Sequence, residues 1–255
     1  MEEKVYFKNP DGLKLCGILS NPKEDSNIPM IILCHGFSSS KNASTYLLLQ
    51  EKLNAHGFAT LRFDFFGHGE SEGEFADITL SQAVEDVSCA LEFLKSKGFS
   101  KFGLIGSSFG GNTAILSAAR FKELSVLGLR APVSNYIGHL IAKHSNVGID
   151  EWKKQGFIDY NSGRRGKLKL NYSFFEDAKK HDGFNEALKI SIPTIIVHGM
   201  VDDIVPFEQS QKLNQIIKHS RLVALPHSNH SFKYEGDREK CVQILVDFII
   251  DRIND

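Results

Sequence analysis

Ser108, Asp202 and His230 each follow a short apolar run, and together they could do acyl-transfer chemistry. A serine hydroxyl is a poor nucleophile unless a base takes its proton and a carboxylate orients that base. Ser108 is the centre of Gly106-Ser107-Ser108-Phe109-Gly110, a G-x-S-x-G pentapeptide set between the run Lys101–Ile105 and a helical pattern. A strand that turns sharply into a helix there strains the backbone of the central serine and pushes its hydroxyl out at the top of a sheet. Glycines two residues before and two after leave no side chain to collide with the neighbouring elements. The base and the acid should then follow in the order acid, histidine. Asp202 stands in His198-Gly-Met-Val-Asp202-Asp203-Ile-Val-Pro206, directly after Thr194–Val197. His230 stands in Pro226-His227-Ser-Asn-His230-Ser-Phe232, directly after Arg221–Leu225. Asp203 and His227 are their rivals, and the spacing from His198-Gly199 favours Asp202.

These loops need a scaffold that brings strand ends together. Val5–Phe7 and Leu13–Leu19 flank Asn9-Pro10-Asp11-Gly12, which predicts an antiparallel hairpin. Met30–Cys34 is apolar throughout, as in a strand buried on both faces of a parallel sheet. A helix over Ala43–His56, closed by Gly57, leads to the strand Phe58–Phe63. Leu80, Val84, Val87, Leu91 and Leu94 recur at helical spacing over Leu80–Lys97. Strands at Lys101–Ile105, Val126–Leu129, Thr194–Val197 and Arg221–Leu225 alternate with helices at Phe109–Arg120, Phe207–Ile217 and Arg238–Ile253. Such alternation predicts an α/β fold, a mostly parallel sheet of about eight strands with helices on both faces and its site at the strands' carboxyl ends.

Residues 133–189 break the rhythm, hold Tyr136, Trp152, Phe157, Tyr160, Tyr172, Phe174 and Phe175, and include a turn sequence at Gly163-Arg164-Arg165-Gly166. A segment that long is not a simple loop. It reads as a cap inserted over the strand ends, with residues 1–132 and 190–255 forming the core. Part of its aromatic set forms the cap's own core, and Trp152 and Tyr172 are the candidates for a substrate pocket. His35 and His198 read as braces of the loops beside strand ends, and Asp64 as a brace of its loop together with Arg62 and His68.

Composition excludes several alternatives. A net charge of -1 leaves no electrostatic footprint for nucleic acid. No apolar run approaches the roughly 20 residues of a membrane-spanning helix, so no membrane insertion is expected. The charged start Met-Glu-Glu-Lys does not read as a signal peptide. Cys16, Cys34, Cys89 and Cys241 are scattered, without C-x-x-C or a His/Cys cluster. They read as reduced thiols of a cytoplasmic protein without a metal site.

Across nearly its whole length the chain resembles the α/β-hydrolases, and among them the small capped carboxylesterases. The resemblance rests on His35-Gly36-Phe37, Arg62-x-Asp64-x-x-Gly67-x-Gly69-x-Ser71, the Ser108 elbow, the Asp202 loop and His230-Ser-Phe232. Residues 163–172 are similar to the cap hairpin of bacterial cinnamoyl and feruloyl esterases, whereas Ser-Ser-Phe departs from the His-Ser-Gln common at their elbow. The resemblance implies an α/β-hydrolase fold and a serine esterase working through an acyl-enzyme with no cofactor. Ser108 would be the nucleophile, His230 the base and Asp202 its orienting acid. The backbone N–H groups of Phe37 and Phe109 would form the oxyanion hole. A phenylalanine after the base favours His230 over His227. The expected partner is a small-molecule ester, and a homodimer through the cap stays open. The rivals are a serine peptidase or acyl-aminoacyl hydrolase, a thioesterase, a monoacylglycerol-type lipase and a non-catalytic binding protein.

Overall fold

The first turn forms as its residues predict: Leu13 N–H donates to Asn9 Oδ1 at 2.9 Å, and Gly12 takes φ +80°. It joins β1 (Glu2–Lys8) to β2 (Lys14–Ser20) antiparallel, with Glu2 opposite Ser20 and Lys8 opposite Lys14. The structure is a computed structural model and describes residues 2–144, 148–162 and 165–253. Next come β3 (Met30–Cys34), α1 (Ser44–Ala55), β4 (Ala59–Phe63), α2 (Leu80–Ser96), β5 (Phe102–Ser107), α3 (Phe109–Ala118) and β6 (Leu124–Arg130). The inserted segment holds α4 (Tyr136–His144), α5 (Ile149–Gln155), the hairpin β7 (Phe157–Ser162) and β8 (Gly166–Asn171), α6 (Ser173–Ala178) and α7 (Gly183–Ala187). The chain ends with β9 (Thr194–Gly199), α8 (Phe207–Ile216), β10 (Ser220–Leu225) and α9 (Asp237–Arg252).

Eight strands form one sheet in the order β1-β2-β4-β3-β5-β6-β9-β10. Pairing is antiparallel at β1–β2 and β2–β4, and parallel from β4 across to β10. Period-two alternation distributes the apolar side chains between two layers. Ile32, Leu61, Leu104 and Leu127 pack with Leu80, Val84, Val87, Leu91 and Leu94 of α2. Ile31, Leu33, Ile105 and Val197 pack with Leu49 and Leu53 of α1 and with Leu245 and Ile249 of α9. Fully burying each such side chain contributes about 1.5–3 kcal/mol. The crossover from β3 leads to β4 on one side, and β5 returns to the other side of β3. A crevice therefore opens at the carboxyl ends of β3 and β5, where an open α/β sheet binds its ligands.

The inserted segment leaves the sheet after β6 and returns at β9, and these two strands are direct neighbours, Leu127–Arg130 beside Thr194–Val197. It is tied to the core by polar bonds. Ser81 donates its N–H to Asp177 Oδ2 at 2.8 Å and its hydroxyl to Oδ1 at 2.6 Å. Burial alone would raise the Asp177 carboxyl, but bonds from His181 and Ser81 outweigh it and hold the group below its ordinary range. Gln209 Oε1 accepts from the N–H groups of Ser134 and Asn135 at 2.7 and 3.1 Å. In the expected turn, Gly163 and Arg164 lie outside the described residues, but β7 and β8 on either side pair antiparallel. Among the described residues no helix is long and apolar enough to cross a membrane, and no cluster of metal-ligating side chains is present.

Candidate active site

Ser108 sits between β5 and α3 at φ +54°, ψ −111°, a conformation that L-residues rarely hold. The turn is closed tightly around it. A Cβ on Gly106 would lie 2.1 Å from the Gly110 carbonyl oxygen, and one on Gly110 would lie 2.3 Å from that of Cys34. Only glycine fits at either position.

The hydroxyl so presented meets the two loops at the far strand ends. Ser108 Oγ donates to His230 Nε2 at 3.1 Å, and His230 Nδ1 donates to Asp202 Oδ2 at 2.7 Å. A carboxylate only accepts, so the proton of the neutral imidazole is on Nδ1 and Nε2 offers its lone pair to the serine. Asp202 Oδ1 accepts from the N–H groups of Ile204 and Val205 at 2.9 and 2.8 Å. Its Oδ2 also accepts from His198 Nε2 at 2.9 Å. Burial pushes this carboxyl up, but the bonds from His198, His230 and Val205 N–H outweigh it and hold the group below the usual carboxylate range. His198 Nε2 also faces the Val205 carbonyl oxygen at 3.2 Å, so it carries the ring proton, and Nδ1 accepts from Ser210 Oγ at 2.6 Å. His198 thus braces the acid loop. The rivals Asp203 and His227 are exposed and take no part in this chain of bonds.

The loop after β3 completes the crevice. Phe37 and Phe109 stack edge to face with centroids 5.5 Å apart, and Phe174 of α6 packs against both rings. Among the described residues, neither Phe37 nor Phe109 donates its backbone N–H to a protein acceptor. Two histidines hold the backbone here. His35 Nδ1–H donates to the Gly36 carbonyl at 2.9 Å, and Nε2 accepts from Phe65 N–H at 3.1 Å. Burial pushes His35 and His68 below the ordinary imidazole range, which keeps them neutral. Asp64 braces its loop as its position suggests, but bonds neither Arg62 nor His68, whose ring meets the Phe66 carbonyl and Ser38 N–H. The Asp64 carboxylate accepts from Lys41 Nζ at 2.5 Å, Lys41 N–H at 2.7 Å and Glu70 N–H at 2.9 Å. Arg62 reaches Gln50, Asn42 and Glu2 instead.

This geometry recurs in known proteins. A family model described as serine aminopeptidase, S33, matches residues 25–146. The structure of Est1E from Butyrivibrio proteoclasticus with bound ferulic acid superposes at TM-score 0.85 and 27% identity, covering 98% of this chain and all of that one. The chain has the α/β-hydrolase fold. It is also 27% identical, over 92% of its length and 78% of the relative's, to the human mitochondrial palmitoyl-protein thioesterase ABHD10. The structure of the mouse α/β hydrolase domain-containing protein 10 superposes at TM-score 0.81 with 22% identity, covering 98% of this chain and 99% of that one. These matches and the geometry make it a serine hydrolase.

Ser108 and His230 open into a cavity of about 410 Å³, a volume suited to a small-molecule ligand. Its wall under the inserted segment comprises Phe37, Val133, Tyr136, Leu140, Tyr160 and Leu170. The expectation for Trp152 and Tyr172 is corrected here. Trp152 is buried in the segment's own core, donates Nε1–H to the Leu170 carbonyl at 3.1 Å and packs edge-on against Tyr172. Tyr172 in turn stacks on Phe175, so neither ring reaches the cavity. Arg130, which ends β6, was missed. Its Nη1 donates to Ser107 Oγ at 2.7 Å and its Nη2 to the His230 carbonyl at 3.3 Å. The usable signal was a charged residue closing the apolar run Val126–Leu129 just before Ala131-Pro132.

Proposed function

We propose that the chain is a serine esterase cleaving carboxylic esters through an acyl-enzyme intermediate, with residues 133–189 as its cap. One observation carries this reading: the unbroken relay Ser108 Oγ–His230 Nε2 and His230 Nδ1–Asp202 Oδ2, opening into a cavity with an aromatic wall. Ser108 Oγ attacks the acyl carbonyl while His230 accepts its proton. His230 then returns that proton to the leaving alcohol, and Asp202 stabilises the imidazolium between the two transfers. The backbone N–H groups of Phe37 and Phe109 receive the oxyanion, and each such donor is worth about 2.7–4 kcal/mol of barrier. Water, activated by His230, releases the acid. Tyr136, Tyr160 and Leu140 suit an aromatic or short apolar acyl group, in keeping with the ferulic acid named for Est1E.

A second reading, thioester cleavage by the same relay, is favoured by the ABHD10 relatives. The four free cysteines support a reducing compartment such as the cytoplasm, whereas those relatives are mitochondrial by name. The test is turnover of p-nitrophenyl esters from acetate to laurate, methyl ferulate, an acyl thioester and an amino-acid p-nitroanilide, by wild type and Ser108→Ala. Ester turnover lost in Ser108→Ala supports the proposal. Preferred cleavage of the thioester supports the second reading, and cleavage of the anilide alone overturns both.

A further inference from the structure

The cavity has two chemically unlike ends. Besides the aromatic wall, its lining takes in Ser107, the start of α1 and the start of α9. There its lining includes Ser44, Thr45, Tyr46, Arg130, Ser231 and Arg238, and among the described residues no aspartate or glutamate lines any part of it. Arg130 is only 8% exposed. Its Nη groups bond Ser107 Oγ and the His230 carbonyl and its guanidinium lies over the Phe232 ring, while among the described residues its Nε–H meets no acceptor. Arg238, in the first turn of α9, is half-buried and makes no side-chain hydrogen bond or ion pair among the described residues. Neither arginine has a described carboxylate within 4.0 Å. Asp237, next in the chain to Arg238, is not part of the cavity wall and pairs with neither, and its Oδ2 has no hydrogen-bond partner among the described residues.

Two guanidinium groups on one cavity wall, one of them withdrawn from water and held over the Phe232 ring face at 4.3 Å, make that wall favourable to an anion. α1 adds to the field. It has no side-chain cap and no acidic residue in its first turn, so the partial positive charge of its N-terminus is uncompensated where Ser44 and Thr45 meet the cavity. Guanidinium groups bind carboxylate and phosphate through paired N–H donors.

We infer that this end is a subsite for an anion carried on the leaving group. The substrate is an ester whose acyl part lies under the inserted segment and whose alcohol part bears a carboxylate or a phosphate. The direction follows from the chemistry of the relay. His230 must hand its proton to the departing oxygen, so the alcohol lies on the His230 side. Ser231 follows His230 in the chain, and Arg130 holds its carbonyl. The ester C–O bond breaks and the hydroxyl of water adds to the acyl carbon. The proton passes through His230 to the alcohol oxygen, and the anion is unchanged. This inference rests on the esterase reading and narrows its substrate class.

The test is the ratio of kcat/KM within matched pairs: butyryl glycolate against butyryl glycolamide, and butyryl glycerol phosphate against butyryl glycerol. It is measured for wild type, Arg238→Gln and Arg238→Glu. The charged member of at least one pair is expected to be favoured about tenfold or more, as one charge-assisted pairing supplies. That ratio falls toward one in Arg238→Gln and below one in Arg238→Glu, and the pair responding more strongly tells carboxylate from phosphate. A wild-type ratio near one in both pairs, with the neutral esters turned over, overturns the subsite and leaves the esterase reading standing. So does a preference that survives Arg238→Glu. If wild type hydrolyses no ester and a fluorophosphonate fails to label Ser108, the esterase reading falls and the subsite with it.

Discussion

Replacing Ser108 by glycine should make the protein more stable than replacing it by alanine. Ser108 holds φ +54°, ψ −111°, and a non-glycine residue in so sparsely populated a region costs about 1–3 kcal/mol. Alanine removes the hydroxyl but keeps the Cβ that makes this conformation costly. Glycine removes both. Against that relief stands the extra backbone freedom glycine has in the unfolded chain, about 0.5–1 kcal/mol. The balance favours Ser108→Gly over Ser108→Ala by roughly 0.5–2 kcal/mol, although at an ordinary helix position glycine is the less stable of the two. For a domain of this size that corresponds to about 1–8 °C in Tm. Urea unfolding of both variants, with equal m-values required, reads the difference without reference to activity, since both lack the hydroxyl. If Ser108→Gly is the less stable of the pair, the elbow carries no stored strain and the reasoning fails.

Asp202→Asn keeps the fold but removes the acceptor that fixes the His230 tautomer, so kcat should fall about 10⁴-fold. Steady-state kinetics with the best p-nitrophenyl ester measures it, and a loss under tenfold would remove Asp202 from the relay. Burial raises Asp86 from 3.8 to about 7 despite bonds from Phe66 N–H and Gln82. The folded protein therefore retains a proton there that the unfolded chain gives up. Its contribution to stability is complete below pH 3.8 and is lost as pH rises through about 7. Asp86→Asn cannot titrate, so its stability relative to wild type should improve by roughly 2–3 kcal/mol between about pH 5 and about pH 8. Denaturant curves across that range test this, and a difference independent of pH rejects it. Tyr160→Ala should raise KM for methyl ferulate with little change in Tm. Trp152→Ala should lower stability by about 3–5 kcal/mol, and a larger KM effect from Trp152 than from Tyr160 would reverse their assigned places.

The parts of the site readable in the sequence are those set by local rules. The elbow glycines follow from steric contact within a few residues, and the acid and histidine loops follow strands that show themselves as apolar runs. The α2 stripe, from Leu80 to Leu94, is fixed by helical spacing and is buried at each of its five positions. What escaped depends on how distant segments meet. Whether Trp152 or Tyr160 faces the cavity is decided by which side of the β7–β8 hairpin rests on the crevice, and aromatic content is the same for either answer. The partner of Asp64 is Lys41, 23 positions earlier, brought there by the loop after β3. Arg62 is nearer in sequence, but the alternation of β4 sends its side chain toward Gln50 and Asn42.

The inserted segment departs from β6 and comes back at β9, two strands that are already bonded side by side. The sheet would close without it, and the elements that hold Ser108, Asp202 and His230 lie wholly outside it. On the reading proposed above, descent can therefore lengthen, shorten or exchange this excursion while inheriting the relay unaltered. The acyl preference of such a lineage can drift quickly on a conserved chassis, and a graft of the excursion from one relative to another would carry its preference along. Arg130 and Arg238 stand outside the excursion, so the charge selected on the alcohol side would stay behind.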